Sequence, residues 1–364
     1  MSDASQEQVV SIVNSLFEVE QFEKTMYSLE FKIADVDFKS KFVELSRRLE
    51  DLNYAGRLEK MDDGKYIIIQ KFSIKRRRIL DAAWTPRILF AVVVSFVLID
   101  GYVRTDLANS IVEIGDPYEM AGIYTISLLG ILGIHELGHI VASRIHKLKT
   151  TWPYFMPGLP IIGIPTFGAF IQARSPTINR ELLFDVAIAG PIAGLVIAII
   201  VSVYGAYTAP ILDENIAQEL FEDSRLIEWE LGEPILMTAS LELFGKGGDN
   251  GEVLMTPLLF AAWVGFLITF LNLLPAWQLD GGHLARTLMG AKIHKYATYG
   301  SMAVLVLLDF WLMAIFILFL SSRNPGANPL DDISPLSPKR KLAYVGVVVL
   351  AVLCAPLPSG LLPW

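Results

Sequence analysis

Cysteine and charge are both scarce in this chain. Cys354 is the single cysteine among 364 residues, which excludes a disulfide within the chain and argues against a zinc site built from thiolates. Charged residues make up 19% of the sequence and hydrophobic residues 53%, and the mean hydropathy is +0.48. Ordinary soluble domains carry a smaller apolar excess, so the sequence predicts an integral membrane protein in contact with the lipid bilayer.

The sequence also lacks an excess of positive charge and a targeting signal at its start. The net charge is −8 and the isoelectric point is near 5.3, so nucleic acid is not a predicted partner. Residues 1–8 have neither the basic and apolar regions of a secretory signal nor the arginine-rich character of a transit peptide. We therefore expect the first hydrophobic span to anchor the protein.

Residues 1–80 lack a continuous hydrophobic run and are predicted to form a small soluble α+β domain, followed by a membrane-embedded domain over residues 81–364. Helical spacing of apolar residues covers Val9–Leu16 and Phe42–Leu52, and strand-like runs cover Met26–Ile33 and Tyr66–Phe72. Asp63-Gly64 is suited to a hairpin turn. The basic run Lys75–Arg78 directly precedes the first span, which predicts that the N-terminal domain is cytosolic.

The apolar stretches predict an α-helical polytopic protein with about six transmembrane helices, because a hydrocarbon layer about 30 Å thick requires about 20 helical residues. The predicted spans are Ile88–Val103, Ala121–Ile145, Leu182–Tyr207, Pro257–Leu274, Thr298–Leu320 and Leu342–Leu357. This layout places the acidic segment Asp213–Asp223 outside and the C-terminus in the cytosol. It also places Lys339, Arg340 and Lys341 outside, against the positive-inside tendency.

The apolar segment Trp152–Pro176 is interrupted by prolines and glycines and is therefore not a continuous helix. Irregular backbone at membrane depth is tolerated only where protein or a water-filled cavity satisfies its polar groups. We predict a re-entrant or β-hairpin segment beside an active-site cavity. The alternative is a cytosolic loop on the membrane surface.

The strongest chemical signal is His135-Glu136-Leu137-Gly138-His139. Two histidines four residues apart share a helix face and can occupy neighbouring corners of a zinc tetrahedron. Glu136 then lies near the open corner, where a carboxylate can accept the proton of a metal-activated water. Ionisable groups inside an apolar span mark function by default, which favours metal binding over a chance match.

The two histidines leave the predicted site one protein ligand short of three. Asp280 is the preferred third ligand, because Pro275 breaks the end of a span and the pair Gly281-Gly282 permits close backbone approach. His283 is a competing ligand. His146 and His294 lie beside lysines and are expected to be solvated.

These motifs together resemble the site-2 protease family of intramembrane zinc proteases. The resemblance rests on the histidine motif, on Asn272-Leu-Leu-Pro275 leading to Leu279-Asp280-Gly281, and on Ala189-Gly190-Pro191 between them. It implies one Zn2+ per chain, Asp280 as third ligand, Glu136 as catalytic base and Asn272 as a polar helper near the oxyanion or the substrate backbone. A helix–helix hydrogen bond is the alternative role for Asn272.

Within that family, Pro153–Pro157 and Ile164–Phe170 resemble the branch of plastid EGY-type proteases and their prokaryotic relatives. No PDZ-like insert is apparent, and the expected location is a prokaryotic cell membrane. Many relatives have asparagine three residues after the Gly-Pro pair, whereas this chain has Gly194.

The predicted reaction is hydrolysis of peptide bonds in transmembrane protein substrates. An unwound substrate segment is expected to pair with the strand containing Thr166, Phe167, Gly168, Ala169 and Phe170. A catalytically silent relative that binds membrane proteins and a zinc transporter are the alternatives. The first 80 residues could gate access, mediate pairing of two chains as a homo-oligomer, or act as a tether.

Overall fold

The computed structural model describes residues 3–72, 82, 84–161, 163–222, 231–246, 251–323 and 328–358. The predicted basic run Lys75–Arg78 lies outside the described residues, as does Asp223 at the end of the acidic segment.

The N-terminal unit, residues 3–72, contains α1 (Asp3–Leu16), β1 (Val19–Lys24), β2 (Leu29–Ile33), α2 (Lys39–Asp51), β3 (Tyr54–Met61) and β4 (Gly64–Lys71). The four strands form an antiparallel sheet of order β1-β2-β4-β3. Leu29, Phe31 and Ile33 alternate with polar residues along β2 and are buried with Val9 and Phe42 of the helices.

The remaining described residues are mainly helical. Their elements are α3 (Thr85–Asn109), α4 (Pro117–Ile145), β5 (Tyr154–Pro157), β6 (Thr166–Phe170), α5 (Arg180–Thr208), β7 (Ile211–Leu212), α6 (Glu214–Glu222), β8 (Glu233–Pro234), α7 (Ile235–Glu242), β9 (Glu252–Val253), α8 (Pro257–Leu273), α9 (Asp280–Leu307), α10 (Trp311–Arg323), α11 (Pro338–Cys354) and β10 (Pro356–Leu357). Helix α8 lies at the centre, with almost every side chain buried. Three helices, α3, α4 and α5, are long and apolar enough to cross a membrane among the described residues, and α8 and α10 are shorter apolar helices.

The segment predicted as one span over Thr298–Leu320 is divided, so that prediction was wrong. Helix α9 ends at Leu307 and α10 begins at Trp311, and the two helices pack against each other. Asp309 in the connection has a φ of 63°, a left-handed conformation that helical residues do not adopt. Helices α9 and α10 therefore form a helical hairpin whose ends lie on the same side of the fold.

Because this segment turns back instead of crossing once, the residues that follow it lie on the side of the fold opposite to the predicted one. The Leu58 amide of β3 donates to the Leu330 carbonyl at 2.9 Å, so residues 328–332 lie beside the N-terminal unit. Arg340 binds Asp185 near the start of α5, on that same side, rather than on the opposite side as the sequence predicted. At the other end of α11, β10 pairs with β8 in the connection between α5 and α8. The described C-terminal segment thus lies opposite the N-terminal unit, contrary to prediction.

The proline-rich segment forms a β-hairpin, in which β5 and β6 are antiparallel. Its tip contacts α3: the Ile161 amide donates to Asp100 at 2.8 Å, and Arg104 donates to the Gly163 carbonyl at 3.1 Å. Asp100 is fully buried and also accepts hydrogen bonds from Arg104 and from Tyr124 of α4. The hairpin is therefore held by a polar network inside the helical bundle.

Candidate metal centre

Helix α4 carries both histidines of the motif on one buried face. It begins after Asp116, whose side chain accepts hydrogen bonds from the Tyr118 and Glu119 amides and so caps the helix. His135 and His139 are 4% and 6% exposed, and Glu136 is 5% exposed between them. The four-residue spacing brings the two Nε2 atoms to 3.2 Å.

Asp280 reaches this face from the first residue of α9. Helix α8 ends at Leu273, and Pro275 follows in the connection to α9. A Cβ atom at Gly281 would overlap the Leu273 carbonyl oxygen, and one at Gly282 would overlap the carbonyl oxygens of the same connection. The two glycines therefore allow α9 to begin directly beneath the end of α8.

Three ligand-type atoms converge at one point. Oδ2 of Asp280 lies 3.3 Å from Nε2 of His135 and 3.2 Å from Nε2 of His139. Among the described residues, these three side chains are the group whose potential ligand atoms all lie within 4.8 Å of one another. His283, the competing ligand in the sequence, is not in this group.

The triangle of donor atoms fits a tetrahedral zinc ion. Zinc bonds to nitrogen and oxygen are about 2.0–2.1 Å long, and the edge of a tetrahedron with such bonds is about 3.3–3.4 Å. The observed separations of 3.2–3.3 Å are close to that edge. Two imidazoles and a carboxylate leave the fourth corner open, as catalytic zinc sites require.

Helix α5 supports the histidines from behind. Nδ1 of His139 lies 2.8 Å from the Val186 carbonyl, so Nδ1–H donates to that oxygen and the lone pair of Nε2 faces Asp280. A Cβ atom at Gly190 would overlap Nε2 of His139, and one at Gly194 would lie 2.9 Å from Cβ of His135. The small residues of α5 are thus needed for the close approach of the two helices.

Asn272 and Glu136 lie next to the three ligand-type atoms. Nδ2 of Asn272 is 3.4 Å from Nε2 of His135, which brings the last turn of α8 to the site. The buried Glu136 carboxylate is close enough to His135, His139 and Asp280 to interact with each electrostatically. The contact of Asn272 is with the metal-centre histidine, and its role in the reaction stays a prediction.

The remaining histidines are elsewhere. His146 lies 3.2 Å from Asp185 and is partly exposed. His294 is 7% exposed, so the expectation that it is solvated was wrong. Its side chain lies between α9 and the connection that contains Trp277. The neighbouring lysines suggested exposure, but the helix turns His294 inward and the lysines outward.

The five residues predicted to bind substrate form β6, which contacts α4 and α3. They divide by exposure. Thr166 is fully buried and its hydroxyl donates to the Met156 carbonyl at 2.9 Å, whereas Phe167 and Phe170 are exposed. Gly168 is buried and has a φ of 91°, and Ala169 is partly buried.

The sequence analysis did not identify the Val186 carbonyl as the hydrogen-bond partner of His139. Every residue has a carbonyl, and only the fold determines which one lies beside the histidine.

Sequence comparison finds a known protein family and several relatives of this chain. The model of peptidase family M50 matches residues 123–308. The probable zinc metalloprotease EGY2, chloroplastic, of Arabidopsis thaliana is 30% identical over 244 residues, which are 63% of this chain and 40% of that protein. The protein of the same name from Oryza sativa subsp. indica is 29% identical over 299 residues, covering 76% of this chain and 50% of that protein.

A second group of relatives carries a related name. The probable zinc metalloprotease EGY1, chloroplastic, of Arabidopsis thaliana is 29% identical over 240 residues, 64% of this chain and 42% of that protein. This chain spans half or less of the length of these relatives. No solved structure matches it significantly. These relatives are named as chloroplastic proteins. The predicted prokaryotic branch and cell membrane stay predictions.

The family model spans just over half of the chain and includes His135, His139, Asn272 and Asp280, which confirms the resemblance derived from the motifs. The chain therefore belongs to peptidase family M50.

Proposed function

We propose that this protein is a zinc metalloendopeptidase that hydrolyses peptide bonds within or near the transmembrane segments of other membrane proteins. The observation that carries the proposal is the triangle of His135, His139 and Asp280, with the carboxylate of Glu136 buried beside it. His135, His139 and Asp280 would hold one Zn2+ per chain. The names of the EGY relatives, probable zinc metalloproteases, support the same metal and reaction class.

The chain's own residues supply positioning and proton transfer. A bound Zn2+ would polarise the scissile carbonyl and lower the pKa of a water in the open corner. Glu136 accepts the proton of the attacking water and delivers it to the leaving amine nitrogen. Asn272, whose Nδ2 lies 3.4 Å from Nε2 of His135, is proposed to donate its amide hydrogens to the carbonyl oxygen of the bond being cleaved.

The substrate is proposed to bind as an added strand beside β6. An intact helix keeps its carbonyls in internal hydrogen bonds, so a transmembrane segment must unwind before cleavage. Strand β6 pairs with β5 and packs on α4, the helix of the two histidines, and the exposed Phe167 and Phe170 offer apolar contacts to an extended segment.

The proposed membrane layout has five crossing helices, α3, α4, α5, α8 and α11, with the hairpin of α9 and α10 beside them. Exposed apolar side chains on the shorter helices support their contact with lipid, among them Leu312, Ile315, Phe316 and Phe319 of α10 and Leu342, Val345 and Val349 of α11. The N-terminal unit is proposed to be cytosolic, and Lys339 to Lys341 then lie on the cytosolic side, in agreement with the positive-inside tendency.

The decisive experiment compares the wild-type protein with Glu136→Gln. The purified wild type is expected to hold about one zinc per chain and to cleave a model transmembrane substrate. Glu136→Gln should retain zinc, because Glu136 is not a ligand, and should cleave at least about 100-fold more slowly, because the proton acceptor is lost. His139→Ala is the matched variant that should lose the metal.

Each rival function predicts a different result. A catalytically silent relative would bind zinc without cleavage in the wild type. A transporter would move zinc across vesicle membranes, and neither the wild type nor Glu136→Gln would cleave the substrate. Unchanged cleavage by Glu136→Gln would refute the mechanism.

A further inference from the structure

Two isolated parallel β-bridges, Leu58 with Asp331 and Asp331 with Asn179, join the N-terminal unit to the rest of the fold. Residues Leu330 and Asp331 lie between β3 and the segment that leads into α5: the Leu58 amide donates to the Leu330 carbonyl at 2.9 Å, and the Leu330 and Asp331 amides donate to the Thr177 and Ile178 carbonyls at 2.9 and 2.7 Å. Ile178 and Leu182 are buried in the core of the N-terminal unit. The junction between these described residues is therefore a packed interface.

The next residue, Asp332, binds two arginines from different helices. Nε of Arg180, the first residue of α5, lies 2.9 Å from Oδ1. Arg286 of α9 donates from Nη1 to Oδ1 at 3.1 Å and from Nη2 to Oδ2 at 2.6 Å, a two-point contact that fixes the orientation of both groups. One carboxylate thus connects α5 with α9.

Arg286 depends on this carboxylate. Its side chain is 5% exposed, and a buried guanidinium without a partner is strongly unfavourable. Among the described residues, Asp332 is the acidic partner of Arg286, and Asn328 accepts one further hydrogen bond from it at 3.0 Å. Moving residues 328–332 away would leave this charge buried and unpaired.

The two connected helices are those that flank the metal centre. Asp280 begins the straight part of α9, which ends at the non-helical Gly290, so Asp280 and Arg286 belong to one rigid piece and are separated by about 9 Å along its axis. Helix α5 supplies the Val186 carbonyl that orients His139. A shift of Arg286 relative to Arg180 would therefore change the position of Asp280 relative to His139.

From these contacts we infer that Arg286, held by Asp332, is a positioning residue that couples docking of the N-terminal unit to the placement of Asp280 in the metal centre. The inference rests on the proposed zinc site and extends it to a role for the N-terminal unit. Docking of β3 on Leu330 orders residues 328–332, Asp332 then holds α5 and α9 together, and Asp280 is kept in position for the metal.

The test measures zinc affinity by competition with a chelator in full-length protein. Asp332→Asn removes the charge but keeps the shape, and should weaken zinc binding about tenfold, the lower end of the effect of losing a partner that orients a ligand. Asp332→Glu keeps a carboxylate and should remain near the wild type. Arg286→Lys keeps the charge but loses the two-point contact and should weaken binding about threefold.

Lys149→Gln is the matched control, because it removes an ion pair of 3.1 Å at the same junction, with Glu50, that is exposed and does not involve α5 or α9. It should bind zinc like the wild type. Hydrogen exchange of the Leu58 amide gives a second readout: faster exchange in Asp332→Asn with unchanged zinc affinity would mean that the cluster only attaches the N-terminal unit, and would overturn the inference.

Two further outcomes are distinguishable. If the wild type binds no zinc, the proposed function fails before the coupling is tested, and the inference falls with it. If Asp332→Asn does not fold, Arg286→Lys decides, and an affinity equal to that of the wild type would overturn the inference.

Discussion

At Gly190, helix α5 approaches the metal centre so closely that a Cβ atom would overlap Nε2 of His139. We predict that Gly190→Ala displaces the His139 ring and lowers zinc affinity by at least about tenfold. Gly133→Ala is the control, because a Cβ atom at Gly133 of α4 meets nothing within 4 Å. Zinc content and affinity of the two purified variants check the prediction, and wild-type affinity in Gly190→Ala would contradict it.

The sequence predicted which residues carry the chemistry of the site better than it predicted which residues contact them. The spacing of His135 and His139 and the glycines after Asp280 led to the three side chains that the structure brings together. The partner of His139, the Val186 carbonyl, has no signature in the sequence. Arg286 was also missed, because a single arginine after a motif does not reveal a carboxylate 46 residues away.

Among the elements, the β5–β6 hairpin depends on a polar network on α3. Asp100→Asn removes the charge that binds Arg104 and weakens the hold on the hairpin tip at Ile161 and Gly163. If β6 receives the substrate, the variant should raise KM about tenfold, an effect of the size expected when a charged hydrogen bond of about 1.5–3 kcal/mol is weakened, while zinc content stays unchanged.

Ser95→Ala is the control for the hairpin prediction, because Ser95 is exposed on the same helix and its hydroxyl donates to the Ala91 carbonyl of its own helix. It should cleave substrate like the wild type. Loss of zinc in Asp100→Asn would show instead that the network supports the metal centre, and an unchanged KM would argue against a substrate role for β6.

The types of the long elements followed from sequence, but some boundaries did not. The predicted spans Ala121–Ile145 and Leu182–Tyr207 agree with α4 and α5 to within a few residues. An apolar run of this length is compatible with a membrane-spanning helix and with few other structures. The break at Asp309 was missed, since one charged residue in an apolar run changes its average hydropathy little. Strands β1 and β3 were missed because β1 is mostly exposed and β3 is defined by its pairing with β4.

For the whole molecule, the N-terminal unit shares its core with Ile178 and Leu182 of the helical part. The division into domains at residue 80 stays a prediction, since the residues around that position lie outside the described ranges. The shared core indicates that docking of the unit belongs to the folded state in which the metal centre is complete.

A crosslink tests whether cleavage requires the N-terminal unit to leave. Lys39 of α2 forms an ion pair of 2.8 Å with Glu181 of α5. Lys39→Cys with Glu181→Cys, joined by a short bifunctional maleimide, should keep cleavage within about twofold of the wild type, because the docked arrangement is the one that holds Asp280 through Asp332. Lys39→Cys treated with the same reagent is the control, and loss of cleavage only in the joined protein would identify undocking as a step of the reaction.

The single cysteine can serve as a probe of local opening at the end of the molecule opposite the N-terminal unit. Cys354 is fully buried where α11 ends, next to the β10–β8 pairing. A water-soluble thiol reagent can reach it only when that corner opens, so the alkylation rate of the native protein reports the free energy of local opening there. Local opening on the side remote from the N-terminal unit can thus be measured in the wild-type chain, without introducing a cysteine.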